Sequence, residues 1–268
     1  MNPRALRALI FALVACLGGC FSPNAAQEAA TAARRERLRT AETMFQERCK
    51  KAGVFIHRTA ENVEGILLMK LRPGKINFDD QFALDDPYGR DSSGDGYIES
   101  FLRGSFQANT KGTPPPGFPP RLGYLYVEAV DPKDGKRYRY TGRVEEPWQF
   151  DKSYLKGYKR YVMDRVPASG PAPRYGVTYD DLSTREEREY WIAGSSLRVI
   201  DLKTNEVMAE RIGYMMDRGL GSNAGGRAPW LFAADYACPS FGTRHGSGRQ
   251  PRQAQDFAEK VLKPKLEN

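Results

Sequence analysis

The chain has 268 residues, with 41 Lys and Arg against 33 Asp and Glu, and a formal net charge of +8. A content of 40% hydrophobic and 11% aromatic residues is enough for a core and excludes a chain that is disordered throughout. A mean hydropathy of −0.60 excludes a polytopic membrane protein. The length fits one large domain or two small ones.

The first residues have the pattern of a secretory signal. Arg4 and Arg7 precede an apolar run from Ala8 to Leu17. This run is too short to span a bilayer, which takes about 20 residues, but it has the length of the apolar region of a signal peptide. An ordinary cleaved signal peptide with a chance cysteine after it, or a short buried helix, is the alternative.

The apolar run ends in Leu17-Gly18-Gly19-Cys20, and here the chain resembles bacterial lipoprotein precursors. The resemblance implies that residues 1–19 are a signal peptide and that residues 20–33 are a lipidated cysteine and a tether. Phe21 stands where lipoproteins retained in the inner membrane have Asp, which implies the outer membrane, with the protein facing the periplasm. The membrane would then be one partner, through the lipid anchor on Cys20.

The cysteine count supports a single disulfide. Of the four cysteines, Cys16 lies in the signal and Cys20 carries the lipid, which leaves Cys49 and Cys238 in an oxidising compartment. We expect these two to form a disulfide that closes a loop of about 190 residues. Two buried free thiols are the alternative.

The predicted elements begin with a helix. Apolar residues recur every three or four positions between Leu38 and Ala52, which places them on one helix face. Asn24 can cap a helix that begins at Ala25, and Gly53 is a typical stop signal. The sequence therefore predicts an amphipathic helix that ends with Cys49 facing inward.

After this helix, the pattern becomes that of strands. Strands are predicted at residues 54–59, 65–71, 122–130, 137–143, 158–166, 189–201 and 206–216. Short helices are predicted at residues 229–236 and 252–262. We therefore expect an α+β fold in a single domain over residues 34–268: an antiparallel β-sheet built of hairpins, with an N-terminal helix and C-terminal helices packed on it.

Residues 79–97 are predicted to form a long acidic, glycine-rich loop. The segment Asp91–Gly96 matches the first half of a calcium-binding loop, but Leu102 stands where an EF-hand has Glu. An acidic turn is the simpler interpretation, and we predict no metal. The nearby carboxylates that could supply oxygens are Asp85, Asp86 and Glu99.

No catalytic set is evident. The two histidines are His57, in a strand-like run, and His245, in a glycine-rich run, and there is no Gly-x-Ser-x-Gly motif. Gly219-x-Gly221 departs from the dinucleotide-binding pattern. Adjacent carboxylates could include a glycosidase dyad, although adjacency in sequence proves nothing about their separation in space. These pairs are Asp79/Asp80, Asp85/Asp86 and Asp180/Asp181. We expect no enzyme activity and no cofactor.

Two surface features remain. The basic residues are spread along the chain among acidic ones, and the expected compartment holds no nucleic acid partner, so the net charge does not predict nucleic-acid binding. The cluster Arg34–Arg37 could touch anionic head groups or be a solvated helix face. Alternating tyrosines could stabilise strands or form a protein-binding face, and the structural use is favoured. They are Tyr124, Tyr126, Tyr138 and Tyr140.

The body of the chain also resembles uncharacterised proteobacterial lipoproteins, through AENVEGILLMKLRP at 60–73 and FALDDPYGRD at 82–91. Small lipoproteins of this kind resemble immunity proteins that neutralise envelope-targeting toxins. We therefore expect a membrane-anchored protein-binding module that binds an unidentified protein, with such a toxin as the specific hypothesis, through its sheet or the 79–97 loop. The alternatives are an envelope-acting hydrolase that uses carboxylates of residues 79–99, and a structural or assembly lipoprotein of the outer membrane.

Overall fold

The computed structural model describes residues 23–75, 77–89, 92–104, 123–145, 160–241 and 252–265. The chain divides into two compact units, Met1–Thr40 and Ala41–Asn268. The signal peptide and Cys20 lie outside the described residues, as do Asp91 and His245. Within the described ranges, no helix has both the length and the apolar composition needed to cross a membrane.

The first described element is helix α1, Pro23–Cys49, which begins two residues before the predicted start and includes part of the predicted tether. Its residues up to Thr40 belong to the first unit and are mostly exposed. The residues from Ala41 onward belong to the second unit, where Ala41 is fully buried. The helix ends at Cys49, four residues before the predicted stop signal at Gly53.

One large sheet forms the centre of the second unit. Its strands in chain order are β1 (Gly53–Ile56), β3 (Gly65–Leu68), β4 (Tyr126–Val130), β5 (Arg137–Glu145), β6 (Arg160–Pro167), β7 (Tyr175–Asp181), β8 (Ile192–Asp201), β9 (Glu206–Met216) and β10 (Ala237–Cys238). Among the described residues, their spatial order is β1-β9-β8-β7-β3-β4-β5-β6, and β10 pairs with β9 on the same edge as β1. Most pairs are antiparallel, but β3 runs parallel to both β4 and β7.

A second, two-stranded sheet pairs β2 (Ala60–Val63) with β11 (Leu262–Pro264) in parallel. Strand β2 lies between two predicted strands, in a polar segment where the sequence predicts none. The partner strand lies near the other end of the chain, so no local apolar pattern is needed to hold β2 in an extended form.

The described part of the chain contains four shorter helices, α2 (Asp95–Arg103), α3 (Arg185–Glu189), α4 (Pro229–Ala233) and α5 (Gln253–Val261), and a 3-10 turn at Ala224–Gly226. Helix α2 lies against β4 and β5, and α5 lies against β8 and β9. Beneath them, buried residues of the central strands such as Ile66, Val177 and Leu197 form the main core. The fold is the predicted α+β arrangement, a mostly antiparallel sheet with an N-terminal helix and C-terminal helices.

A smaller apolar cluster lies at one end of the same face of the sheet. The rings of Trp191 and Trp230 pack with centroids 5.0 Å apart, and Tyr88 joins them. The Tyr88 ring lies directly on β9 at Gly213, where a Cβ would come within 2.0 Å of the ring. This glycine therefore lets the segment before α2 pack flat on the sheet.

Candidate functional site

Two adjacent carboxylates of the acidic segment before α2 are held in ion pairs. Asp86 forms an ion pair with Arg72 at 2.7 Å, and both side chains are almost fully buried. The other Asp86 oxygen accepts a hydrogen bond from the Gly89 amide at 2.8 Å. The adjacent Asp85 pairs with Lys70 at 2.8 Å and remains about half exposed. These neighbouring carboxylates, considered above as a candidate dyad, thus belong to two separate ion pairs.

Aromatic rings enclose Arg72. Its guanidinium carbon lies 4.1 Å from the ring centroid of Tyr179 and 5.0 Å from that of Tyr97. Burial raises the pKa of the Tyr179 hydroxyl, so this ring stays uncharged at neutral pH. A guanidinium between neutral rings and a carboxylate is stabilised by cation–π and charge-assisted contacts, which explains how the structure accommodates a buried charge here.

A second buried arginine lies beside this pair. Arg211 on β9 donates from Nη1 to Gln253 Oε1 at 3.1 Å, and its guanidinium carbon lies 5.1 Å from the Tyr88 ring centroid. Burial raises the pKa of Tyr88 to about 12, and its hydroxyl donates to the Pro239 carbonyl at 2.9 Å. A Cβ at Gly89 would lie 2.7 Å from both Arg211 Nη2 and Asp86 Oδ2, so the glycine lets these charges approach. We call Arg72, Asp86, Tyr88 and Arg211 the buried charge cluster.

A cavity of about 220 Å³ opens next to this cluster. It is smaller than the roughly 300–1,000 Å³ of ordinary ligand pockets. Its charged lining consists of Arg72, Asp85 and Asp86, which belong to the ion pairs just described, together with the exposed Lys75. The full lining is Arg72, Pro73, Lys75, Asn77, Ala83, Leu84, Asp85 and Asp86. Lys75 is therefore the one charged residue of the lining that lies outside these ion pairs.

Four of the other predicted carboxylates are also engaged. Asp80 accepts a hydrogen bond from the Phe82 amide at 2.8 Å, and Asp180 and Asp181 each pair with an arginine. Glu99 lies on α2, 3.5 Å from Arg103. No group of three or more His, Cys, Asp or Glu that could hold a metal occurs in the part of the chain that the structure describes.

The glycine pattern at 219–221 belongs to a tight loop. The buried Asp217 accepts hydrogen bonds from the amides of Gly219 at 3.0 Å and Gly221 at 2.8 Å, and it pairs with Arg227. Gly221 has a positive φ of 81°, a conformation that favours glycine. These contacts explain the glycines as parts of a turn held by a carboxylate.

The tyrosines of the β4–β5 region contribute to packing. Tyr124 and Tyr140 are buried in the main core, and the Tyr124 hydroxyl donates to the Leu262 carbonyl at 2.7 Å. The Tyr126 ring covers Gly65 on the adjacent strand, where a Cβ would come within 2.3 Å of the ring. The structure thus uses these residues inside the fold.

Strand β1 combines an apolar sequence with an exposed position. Val54, Phe55 and Ile56 are 49%, 43% and 44% exposed, although a continuous apolar run is typical of a buried strand. Strand β1 is the last strand of the sheet on its side of the described chain and pairs only with β9. The sequence pattern does not reveal this, because an edge strand and a central strand can have the same composition.

Hydrogen bonding leaves the outer side of β1 open. The His57 amide donates to the Met208 carbonyl on β9 at 2.9 Å, and the register pairs Phe55 with Glu210. In an antiparallel ladder, every second residue bonds to the partner strand. Phe55 therefore bonds inward to β9, and the amide and carbonyl groups of Val54 and Ile56 point away from it.

Basic residues precede this strand. Lys50 pairs with Glu47 at 2.5 Å, whereas the exposed Lys51 has no ion-pair partner among the described residues. At the other end, Arg58 is held by Asp201 at 2.9 Å and by Glu206. Lys51 therefore places a positive charge next to the start of β1, while Glu210 lies opposite Phe55 on β9.

A disulfide holds the beginning of this strand. Cys49 and Cys238 are bonded, with Cα atoms 5.6 Å apart, which confirms the predicted pair. The bond joins the end of α1 to β10. Because β10 and β1 lie in line along the same edge of β9, the disulfide secures the point at which β1 begins.

No protein-family model, no curated protein and no solved structure matches this chain.

Proposed function

We propose that this chain is a lipoprotein of the bacterial envelope, facing the periplasm, that acts by binding another protein. The observation that carries the proposal is the exposed apolar strand β1. Proteins normally protect sheet edges with charges, proline or covering elements, because an open apolar edge pairs readily with another chain. A partner that covers Val54, Phe55 and Ile56 would remove this apolar surface from water.

The ion pairs favour binding over catalysis. Asp85 and Asp86 of the acidic segment hold Lys70 and Arg72, and the buried charge cluster is packed between rings and β9. A hydrolytic site needs carboxyl groups that face a substrate. The proposed binding surface is therefore the edge of the sheet rather than the 79–97 loop.

The anchoring part of the proposal rests on the motif Leu17-Gly18-Gly19-Cys20. More than one acyl chain is needed for stable membrane attachment, and a lipidated Cys20 at the new amino terminus would supply them. Labelled palmitate should be incorporated into the wild-type chain and into Cys16→Ala, and it should be lost in Cys20→Ala. Label that persists in Cys20→Ala would contradict the anchor.

The specific partner hypothesis is a toxin that attacks the envelope, with this chain as its immunity protein. The test is a pull-down with the toxin-like product of an adjacent gene, together with survival of cells that receive this toxin. Val54→Thr should weaken binding and protection, whereas Val130→Thr, which changes an equally exposed valine (49%) on β4, should leave both unchanged. Equal behaviour of the two variants would place the binding surface elsewhere.

The remaining roles predict different results in the same cells. An assembly lipoprotein predicts an outer-membrane defect in a deletion strain that meets no toxin. A hydrolase predicts an envelope-degrading activity that is lost in Asp86→Ala or Asp91→Ala. Either result, with no protein bound at β1, would overturn the proposed function.

A further inference from the structure

We infer that β1 binds its partner by strand addition: an extended segment of another protein pairs with the outer edge of β1 and carries an acidic residue against Lys51. The inference rests on the proposed function and specifies its surface, its geometry and the chemistry of the partner segment.

The backbone supports this geometry. The bond from the His57 amide to the Met208 carbonyl sets the alternation, so that Val54 and Ile56 direct their amides and carbonyls away from β9. These groups are the ladder positions that an added strand uses. Strand β1 thus offers two donors and two acceptors in a row to an extended chain.

The side chains support an extended partner rather than a helix. Val54 lies opposite Arg211 in the register and so faces the helix-covered side of the sheet, together with Ile56. Phe55 faces the other side. A helix could cover only one of these faces, whereas an added strand places its own alternating side chains on both.

The charges favour a different protein over a second copy of this chain. Lys51, next to the start of β1, is exposed and without an ion-pair partner in the described chain. Antiparallel pairing of two β1 strands would bring Lys51 of each copy towards Arg58 of the other, whose charge is already balanced by Asp201 and Glu206, so a second copy offers Lys51 no unpaired carboxylate there. An acidic residue of a partner segment would instead be attracted to Lys51.

The first step of the test selects binding segments by their chemistry alone. The probe is a phage-displayed library of random twelve-residue peptides, panned on the full chain in detergent micelles. We expect enrichment of peptides with alternating apolar residues and an acidic residue at one end. A labelled synthetic copy of an enriched peptide then serves for affinity measurements.

Two variants of Ile56 separate the contribution of its backbone amide to peptide binding from that of its side chain. Ile56→Pro removes an outward amide without removing a bond to β9, and it should weaken peptide binding about tenfold or more, because a buried ladder group would lose its partner. Ile56→Ala keeps the amide, so its loss of peptide affinity should be several-fold smaller than that of Ile56→Pro. Lys51→Glu should weaken binding of the acidic peptide about threefold or more, and Lys133→Glu, in the β4–β5 turn, should have no effect.

A second measurement does not depend on the fold of a variant. Peptides N-methylated at every second residue should lose binding in one of the two alternating sets and keep it in the other, since only one edge of an added strand faces β1. Bound peptide should also slow hydrogen exchange at the amides of Val54 and Ile56. Equal loss with both methylated sets, or binding that survives Ile56→Pro, would overturn strand addition and leave the proposed protein binding intact.

Two other outcomes would also overturn the inference of strand addition. A dimer of the free chain that Ile56→Pro converts to a monomer would overturn the inference in favour of a second copy. Slow exchange at Val54 and Ile56 in a free monomer would show that the chain covers its own edge, which also overturns it. If an enriched peptide binds β1 but no envelope protein does so in cells, the proposed function fails instead.

Discussion

Asp86, in the most acidic part of the chain, is 1% exposed, whereas Phe55, in one of its most apolar runs, is 43% exposed. The acidic segment lies over the sheet and places its carboxylate against Arg72, between the rings of Tyr97 and Tyr179. Strand β1 lies at the edge of the same sheet with nothing in the described chain beyond it.

The comparison shows that burial depends on the partners that the fold provides. A carboxylate can be buried when a cation and backbone amides satisfy it, as Arg72 and Gly89 do for Asp86. An apolar strand is exposed when no element is available to cover it. The first region then contributes to stability and the second is available for binding.

The largest effect is expected at the buried carboxylate. Asp86→Ala leaves the Arg72 charge buried without its partner and should lower the free energy of unfolding by about 3–5 kcal/mol. Asp85→Ala, at the neighbouring half-exposed pair, should cost less than about 1 kcal/mol. Urea unfolding of both variants measures the difference. Similar values for the two would mean that Asp86 is not the buried partner of Arg72.

The disulfide should have the next largest effect. The double variant Cys49→Ser, Cys238→Ser should lose about 2–4 kcal/mol of unfolding free energy, because a long loop of the unfolded chain is no longer closed. A reductant should lower the stability of the wild-type chain by a similar amount and leave the double variant unchanged. A non-reducing gel in which the two chains migrate identically would argue against the bond.

Asp201 should control part of the acid sensitivity. Hydrogen bonds from Arg174, together with those from Arg58, hold the pKa of this buried carboxyl well below its usual range. Its contribution is therefore complete above the unfolded pKa of about 4 and is lost as the pH falls from there through the folded value.

We expect Asp201→Asn to lower the free energy of unfolding by about 1–2 kcal/mol at pH 7, since both arginines are partly exposed. The loss should shrink as the pH is lowered from about 5 to 2, because the wild-type carboxyl becomes protonated as well. Thermal unfolding across this pH range gives the two curves, and curves that stay parallel would contradict the assignment.

The smallest effect on stability is expected at β1. Replacing Val54, Phe55 or Ile56 by threonine should change the free energy of unfolding by about 0.5 kcal/mol or less in each case. These positions are exposed, and threonine is a residue that suits strands. Leu68→Ala in the core should cost about 2–5 kcal/mol by comparison. A large loss at Phe55 would mean that β1 is covered within the free protein.

Local patterns predicted the parts of the fold that depend on neighbouring residues. The β8–β9 hairpin follows from its turn, where the Lys203 amide donates to the Asp201 side chain at 3.1 Å and Asn205 adopts a positive φ of 58°. Asp and Asn favour such turns through short side-chain bonds and tolerance of this conformation. The end of α1 was predicted in the same way to within about one turn, since the helix ends at Cys49 and the stop signal is Gly53.

Elements with distant partners were missed. Strand β7 was not predicted, because Gly176 and the final Asp180-Asp181 interrupt its apolar alternation. In the sheet, Gly176 is needed for close approach, since a Cβ there would come within 2.8 Å of Met69 Sδ. Helix α2 was also missed, because its short apolar face, with Tyr97 and Phe101, directly follows a glycine-rich loop.

The sequence by itself determined the α+β class, the β8–β9 hairpin, the end of the first helix and the cysteine pair, and it supplied the predicted envelope signal. Each depends on residues close together or on a count of residue types. Only the tertiary structure decided that Asp86 is buried and that β1 is left at the edge. Both outcomes depend on elements far apart in the chain, and a short segment of sequence does not contain the partners that cover it.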